Sequence, residues 1–241
     1  VAEPAAARRL YLCTPDRPDL AHFVAACIGG GVDLVQLRDK HLDARPLLDR
    51  ARLVRDVCRD HGVPFILNDR PDLALEVEAD GVHVGQDDAP PSLARRILGP
   101  DAIVGLSTHA PAELDAAADE PVDYVSVGPV AATPTKPGRP GTGLEYVTYA
   151  AARATRPFYV TGGVDPATVG AVVAAGARHV VAVRWLTEAS DPRGAARALR
   201  QALDAALALE PEPEPEPEVA PKTLRKSQRF GGNVGPRRAR P

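Results

Sequence analysis

Polar side chains in this chain recur directly after short apolar runs. Gln36-Leu37-Arg38-Asp39-Lys40 follows one run, Asn68-Asp69-Arg70 the next, and Gly85-Gln86-Asp87-Asp88 the one after. Then come Ser107-Thr108-His109, Thr133-Pro134-Thr135-Lys136, Gly162-Gly163 and Arg184. Asp69 and Asp88, with Asn68 beside them, are hard oxygen donors suited to Mg²⁺, which takes one or two carboxylates and bridges to substrate phosphates. The competing role for each Asp is a helix N-cap, since Asn-Asp-Arg-Pro opens a helix and Pro90 follows Asp88. Arg38 and Lys40 suit a phosphate, Arg as a bidentate fork and Lys as a point charge, or else form a solvated turn. Strand alternation puts Gln36, Arg38 and Lys40 on one side, outward if Leu34 faces outward. The stretch 128–143 holds four Gly, four Pro, three Thr, a Lys and an Arg. It is long for a connection and reads as a lid carrying Lys136 to a phosphorylated ligand, or as a surface loop. It is not a P-loop, because GxxxxGK[ST] is absent. His109 follows Ser107 and is a titratable candidate. His83 reads as a hydrogen-bonded core residue, Cys58 as core, and Cys13 as a buried thiol near the end of its strand. No HExxH, CxxC or zinc-ligand spacing occurs.

The elements that must position these groups alternate regularly. The predicted strands are Arg9–Cys13, Leu34–Leu37, Phe65–Leu67, Gly81–Val84, Ile103–Leu106, Tyr124–Val127, Phe158–Val160 and His179–Val183. Helical stretches lie between them. Leu47, Ala51, Val54 and Cys58 recur at helical spacing, as do Ala195, Leu199, Leu203 and Ala206. The strands are apolar on both faces, as parallel strands covered by helices are. Eight βα units in residues 1–209 predict an α/β fold, a (β/α)₈ TIM barrel; an open doubly wound sheet is the rival. In a barrel the polar groups above fall in the βα loops, at the face where active sites are built. The loops after strands seven and eight, here Gly162-Gly163 and Arg184, commonly hold phosphate there.

The chain has 241 residues, with Lys and Arg numbering 29 against 32 Asp and Glu, a net charge of −3. That balance excludes a global basic field for nucleic acid or anionic membrane. Three cysteines do not make a disulfide scaffold, and no apolar run reaches membrane-spanning length. The start lacks the apolar core and cleavage site of a signal peptide. A soluble, cytoplasmic protein is expected. At Glu210 the composition changes: a strict Glu-Pro alternation to Glu218 cannot be helical and reads as an extended spacer. The remainder of 210–241 is polar, basic and Gly/Pro-rich, and is expected to be disordered. With five Glu and seven Lys or Arg this tail is net +2, leaving −5 for the body.

Taken together, QLRDK at 36–40, ND at 68–69, GVHVGQDD at 81–88, GLS at 105–107, GPVAATPTK at 128–136 and GG at 162–163 resemble the thiamine-phosphate synthase family. The resemblance runs from Arg9 to about Leu207. It implies a transferase of thiamine biosynthesis that joins a hydroxymethylpyrimidine diphosphate to a (carboxy)thiazole ethyl phosphate, giving thiamine phosphate and pyrophosphate. It implies that Gln36, Arg38, Lys40, Asn68, Ser107 and Lys136 hold the pyrimidine diphosphate, with Arg38, Ser107 and Lys136 nearest the chemistry. It implies Mg²⁺ on Asp69 and Asp88, and the thiazole phosphate on Thr133, Pro134, Thr135, Gly163, Val183 and Arg184. Two positions depart from the family pattern: Arg184 stands where Ser is usual, and Thr161 replaces a small aliphatic residue.

The competing readings are a thiazole tautomerase of the same barrel type, which needs no diphosphate or metal residues, and a non-catalytic scaffold working through its basic tail and an unidentified partner.

Overall fold

The computed structural model describes residues 7–132 and 140–209. Thr133, Pro134, Thr135 and Lys136, and the whole tail 210–241, lie outside the described residues. Eight parallel strands close into a barrel in chain order. They are β1 (Leu10–Thr14), β2 (Leu34–Leu37), β3 (Phe65–Asn68), β4 (Gly81–Val84), β5 (Ile103–Thr108), β6 (Tyr124–Val127), β7 (Phe158–Val160) and β8 (His179–Ala182). Between them run α1 (Leu20–Ile28), α2 (Ala44–Asp60), α3 (Pro71–Glu76), α4 (Pro91–Leu98), α5 (Pro111–Ala117), α6 (Gly143–Arg153) and α7 (Val169–Ala174). After β8 come a single turn, α8 (Arg184–Thr187), and the long α9 (Pro192–Leu209). The TIM barrel expected from the sequence is therefore present, and every predicted strand is found with ends shifted by at most two residues.

The apolar residues divide into two cores. A ring of aliphatic side chains packs the outer face of the strands against the helices, including Leu47, Ala51, Val54 and Cys58 of α2. In α9 the buried face is Ala196, Leu199 and Leu203, with Ala195 and Ala206 partly buried beside it. A second cluster fills the barrel itself: Tyr11, Cys13, Leu34, Ile66, Tyr124, Tyr159 and Val181. The three tyrosine rings meet edge to face, with centroids 5.2–5.9 Å apart. Leu34 therefore faces inward, and Gln36 two residues on does too.

The lower rim of the barrel has its own regularity. The residue before β2, β4 and β6 is in each case an Asp whose carboxylate accepts a backbone N–H from the preceding strand. Asp33 accepts from Arg9 and Leu10, Asp80 from Phe65, and Asp123 from Val104, at 2.7–3.0 Å. Before β8 the corresponding residue is Arg178. There the Arg8 carbonyl does the joining: it accepts from the Tyr159 hydroxyl of β7 at 3.0 Å and lies 2.6 Å from His179 Nδ1 of β8.

Candidate active site

The upper ends of the strands carry the polar residues. Gln36, Asn68, His83, Ser107 and Ser126 are buried at the inner face, and with Tyr11, Cys13 and Arg38 they line a small cavity in the barrel mouth. This is the floor of the site. Its hydrogen bonds form a continuous line. Gln36 Nε2 donates to Tyr11 Oη at 2.6 Å, Tyr11 and Tyr124 hydroxyls are 2.9 Å apart, and Tyr124 Oη lies 3.0 Å from His83 Nδ1. His83 Nε2 lies 2.8 Å from Ser107 Oγ. Burial raises the Tyr11 and Tyr124 phenols well above their usual range, so both remain protonated donors. Gly105 makes room for this line: a Cβ there would strike the Tyr124 phenol and come within 2.6 Å of His83 Nδ1.

One rim lies above β2, β3 and β4. Asp69 directly follows β3 and has φ 61°, a left-handed conformation that Asp tolerates better than most residues. Lys40 Nζ is 2.9 Å from Asp69 Oδ2. Burial, and then the hydrogen-bonded Asp88 carboxylate, raise the Asp69 carboxyl above the ordinary range against the pull of Lys40. The helix-capping alternatives do not hold. Arg70 and Pro90 occupy the N-cap positions of α3 and α4, and Asp88 Oδ2 instead accepts the Gly85 N–H at 2.9 Å within its own loop. The loop bearing Arg38 and Lys40 is organised by Asp39. Against the opposing effect of burial, the backbone N–H groups of His41, Leu42 and Asp16 hold that carboxyl below its usual range.

The other rim lies across the barrel, above β7 and β8. A cavity of about 630 Å³ opens there, lined by Gly162, Gly163, Val183 and Arg184. Thr161, Val181 and Val183 line both this cavity and the floor, so the two are continuous. Gly162 and Gly163 have φ of 97° and 75°, and a Cβ at Gly162 would collide with Pro129. The β6 and β7 loops run side by side there through Val130 N–H to the Thr161 carbonyl, at 2.8 Å. Trp185 and Glu188 extend the wall beyond Arg184.

The structure thus brings Gln36, Arg38, Asn68 and Ser107 together on the floor, Lys40, Asp69 and Asp88 on one rim, and Gly163, Val183 and Arg184 on the other. His109 is held by Glu113, 2.9 Å away, and does not line either cavity. His83 is buried as expected, but it also faces the site. Tyr11, Tyr124 and Ser126 were missed from the sequence. The signal in β6 was the period of two that puts Tyr124 and Ser126 on one face; β1, buried at every position, gave none. No helix among the described residues is long and apolar enough to cross a membrane.

Comparison with known proteins agrees with this geometry. The profile of the family described as thiamine monophosphate synthase matches residues 10–186. The thiamine-phosphate synthase of Thermobifida fusca (strain YX) is 53% identical over 206 residues, covering 83% of this chain and 94% of that protein. The one from Mycobacterium sp. (strain KMS) is 48% identical over 207 residues, 80% of this chain and 92% of that protein. Among solved structures, thiamine phosphate pyrophosphorylase from Pyrococcus furiosus superposes with a TM-score of 0.76 at 28% identity, covering 84% of this chain and 98% of that one. A closed barrel of eight parallel strands, the polar residues described at its mouth and this similarity along the barrel lead to one conclusion: the chain belongs to the thiamine monophosphate synthase family.

Proposed function

We propose that this enzyme joins the pyrimidine diphosphate to the thiazole phosphate, releasing pyrophosphate. The observation that carries the reading is the placing of Arg38, Lys40, Asp69 and Asp88 on one side of a polar floor and of Gly163, Val183 and Arg184 on the other. Arg38 and Lys40 above β2 suit the diphosphate, and Gly163 with Val183 and Arg184 above β7 and β8 suit the monophosphate. The floor residues Gln36, Asn68 and Ser107 then hold the pyrimidine between them.

The Asp69–Asp88 pair fits Mg²⁺. Its two carboxylates are neighbours whose like charges raise the Asp69 carboxyl, with Lys40 offsetting part of that charge. Two hard oxygen donors beside a diphosphate pocket are what a cation that keeps its waters requires. Bound there, Mg²⁺ would add positive charge beside the leaving diphosphate. Arg38 and Lys40 add more from above β2, and the family resemblance adds Lys136 to them. The bond between the pyrimidine methylene carbon and the diphosphate oxygen breaks, and its electron pair leaves with pyrophosphate. The cationic methylene, stabilised by the ring amino group, then takes the lone pair of the thiazole nitrogen. The protein contributes no nucleophile, in keeping with a floor of amides, hydroxyls and a histidine tied at both nitrogens. The carboxylate pair favours this reading over a tautomerase, which has no diphosphate to neutralise.

The test is pyrophosphate release by the full chain. Release should require both substrates and Mg²⁺, stop with EDTA, and match thiamine phosphate formed. A folded protein that releases none, or that only isomerises the thiazole, overturns the proposal.

A further inference from the structure

The line of hydrogen bonds across the floor has a direction, and the direction decides what Ser107 offers a ligand. An amide nitrogen only donates, so Tyr11 Oη accepts from Gln36 Nε2. The single Tyr11 proton then goes to Tyr124 Oη, and the Tyr124 proton to His83 Nδ1. His83 must therefore carry its proton on Nε2 and donate it to Ser107 Oγ. Ser126 Oγ, at 3.4 Å, also approaches Ser107 as a donor. The Ser107 oxygen is thus an acceptor within the protein, and its own proton is left for the cavity it lines.

The opposite direction leaves a buried proton without an acceptor. If His83 donated from Nδ1, Tyr124 would donate to Tyr11, and Tyr11 Oη would accept twice with its proton unused, a costly arrangement in a buried site. Only turning over the Gln36 amide would repair this. The Cys13 thiol, 3.2 Å from Gln36 Oε1, favours the orientation described, because S–H donates to the amide oxygen while sulfur is a weak acceptor of an amide proton.

We propose that Tyr11 and Tyr124 are positioning residues which, through His83, hold the Ser107 hydroxyl as a hydrogen-bond donor to the bound pyrimidine substrate. Neither tyrosine needs to touch the substrate to do so. The role rests on the function proposed above. Gly105 belongs to the same device, since it leaves open the line between Tyr124 and His83.

The experiment pairs a tautomer measurement with a mutant cycle. The full chain is labelled with ¹⁵N-histidine, and the His83 signals are assigned by their loss in His83→Gln. The expected wild-type state is neutral, with the proton on Nε2. Tyr124→Phe keeps the ring and removes the hydroxyl; it should turn this state into a mixture. In the enzyme assay Tyr124→Phe should lower kcat/KM by roughly 10-fold or more. Placed on Ser107→Ala, it should lower it no further. An Nδ1–H tautomer in the wild type, unchanged kinetics in Tyr124→Phe, or losses that multiply in the double variant would each overturn the proposal. If Tyr124→Phe does not fold by circular dichroism, Tyr11→Phe takes its place with the same expected outcomes. The tautomer is read without substrate. Absence of synthase activity in the wild type would sink the proposed function, while the tautomer would still decide the direction of the chain.

Discussion

At the scale of single residues, the site works by holding charge and donors in place. Asp69 accepts an uncommon backbone conformation and a carboxylate neighbour, an arrangement that two helix caps would never need. Lys136 is the cation that the proposed function adds to Arg38 and Lys40. Lys136→Ala should lower kcat by roughly 100-fold, comparable to losing one charge-stabilising group, with an unchanged circular dichroism spectrum. A near wild-type kcat would remove it from the machinery. The residue types at the mouth were legible in the sequence because polar side chains directly after apolar runs stand out. The directions of side chains were not. Along β1, LYLCT is buried at every position, so nothing in its polarity separates Tyr11, which faces the site, from Leu12, which faces the helices.

At the scale of elements, the strands could be read from sequence because both of their faces are apolar and the intervening helices keep one apolar stripe. α2 shows why: its four spaced residues are the four it buries. α8 could not be read, being one turn long. The carboxylates that tie strand pairs from below were equally hidden, since an Asp before a strand resembles any loop residue. Only the pairing of neighbouring strands puts Asp80 opposite the Phe65 N–H at 2.8 Å and Asp123 opposite that of Val104 at 2.7 Å. Asp80→Ala should therefore lower unfolding stability by about 1–2 kcal/mol, the scale of a charge-assisted hydrogen bond at a partly buried donor. A shift in the urea midpoint at unchanged slope is the expected sign; an unmoved midpoint would make the tie ornamental.

At the scale of the whole molecule, the β7–β8 pair depends on a different kind of tie, and the buried imidazole in it is sensitive to acid. Burial pushes His179 down to about 4, against the opposing hydrogen bond with the Arg8 carbonyl. An unfolded chain protonates the same imidazole near 6.5, so it binds the proton at higher pH than the native state does. The stability contributed by neutral His179 is complete above about pH 6.5, falls as the pH drops towards 4, and changes no further below that. The loss is on the order of 3 kcal/mol. His179→Gln should flatten the pH dependence of the unfolding free energy across that window, and an unaltered slope would assign acid sensitivity elsewhere. The same tie bears on synthesis. Arg8 leaves the ribosome well before its partners Tyr159 and His179, which follow 151 and 171 positions later. Three strand pairs can be fastened as each Asp emerges, but the ring cannot shut until nearly the whole barrel has been translated. Until then the nascent chain carries an open sheet edge at β1, which is where a chaperone would have most to protect.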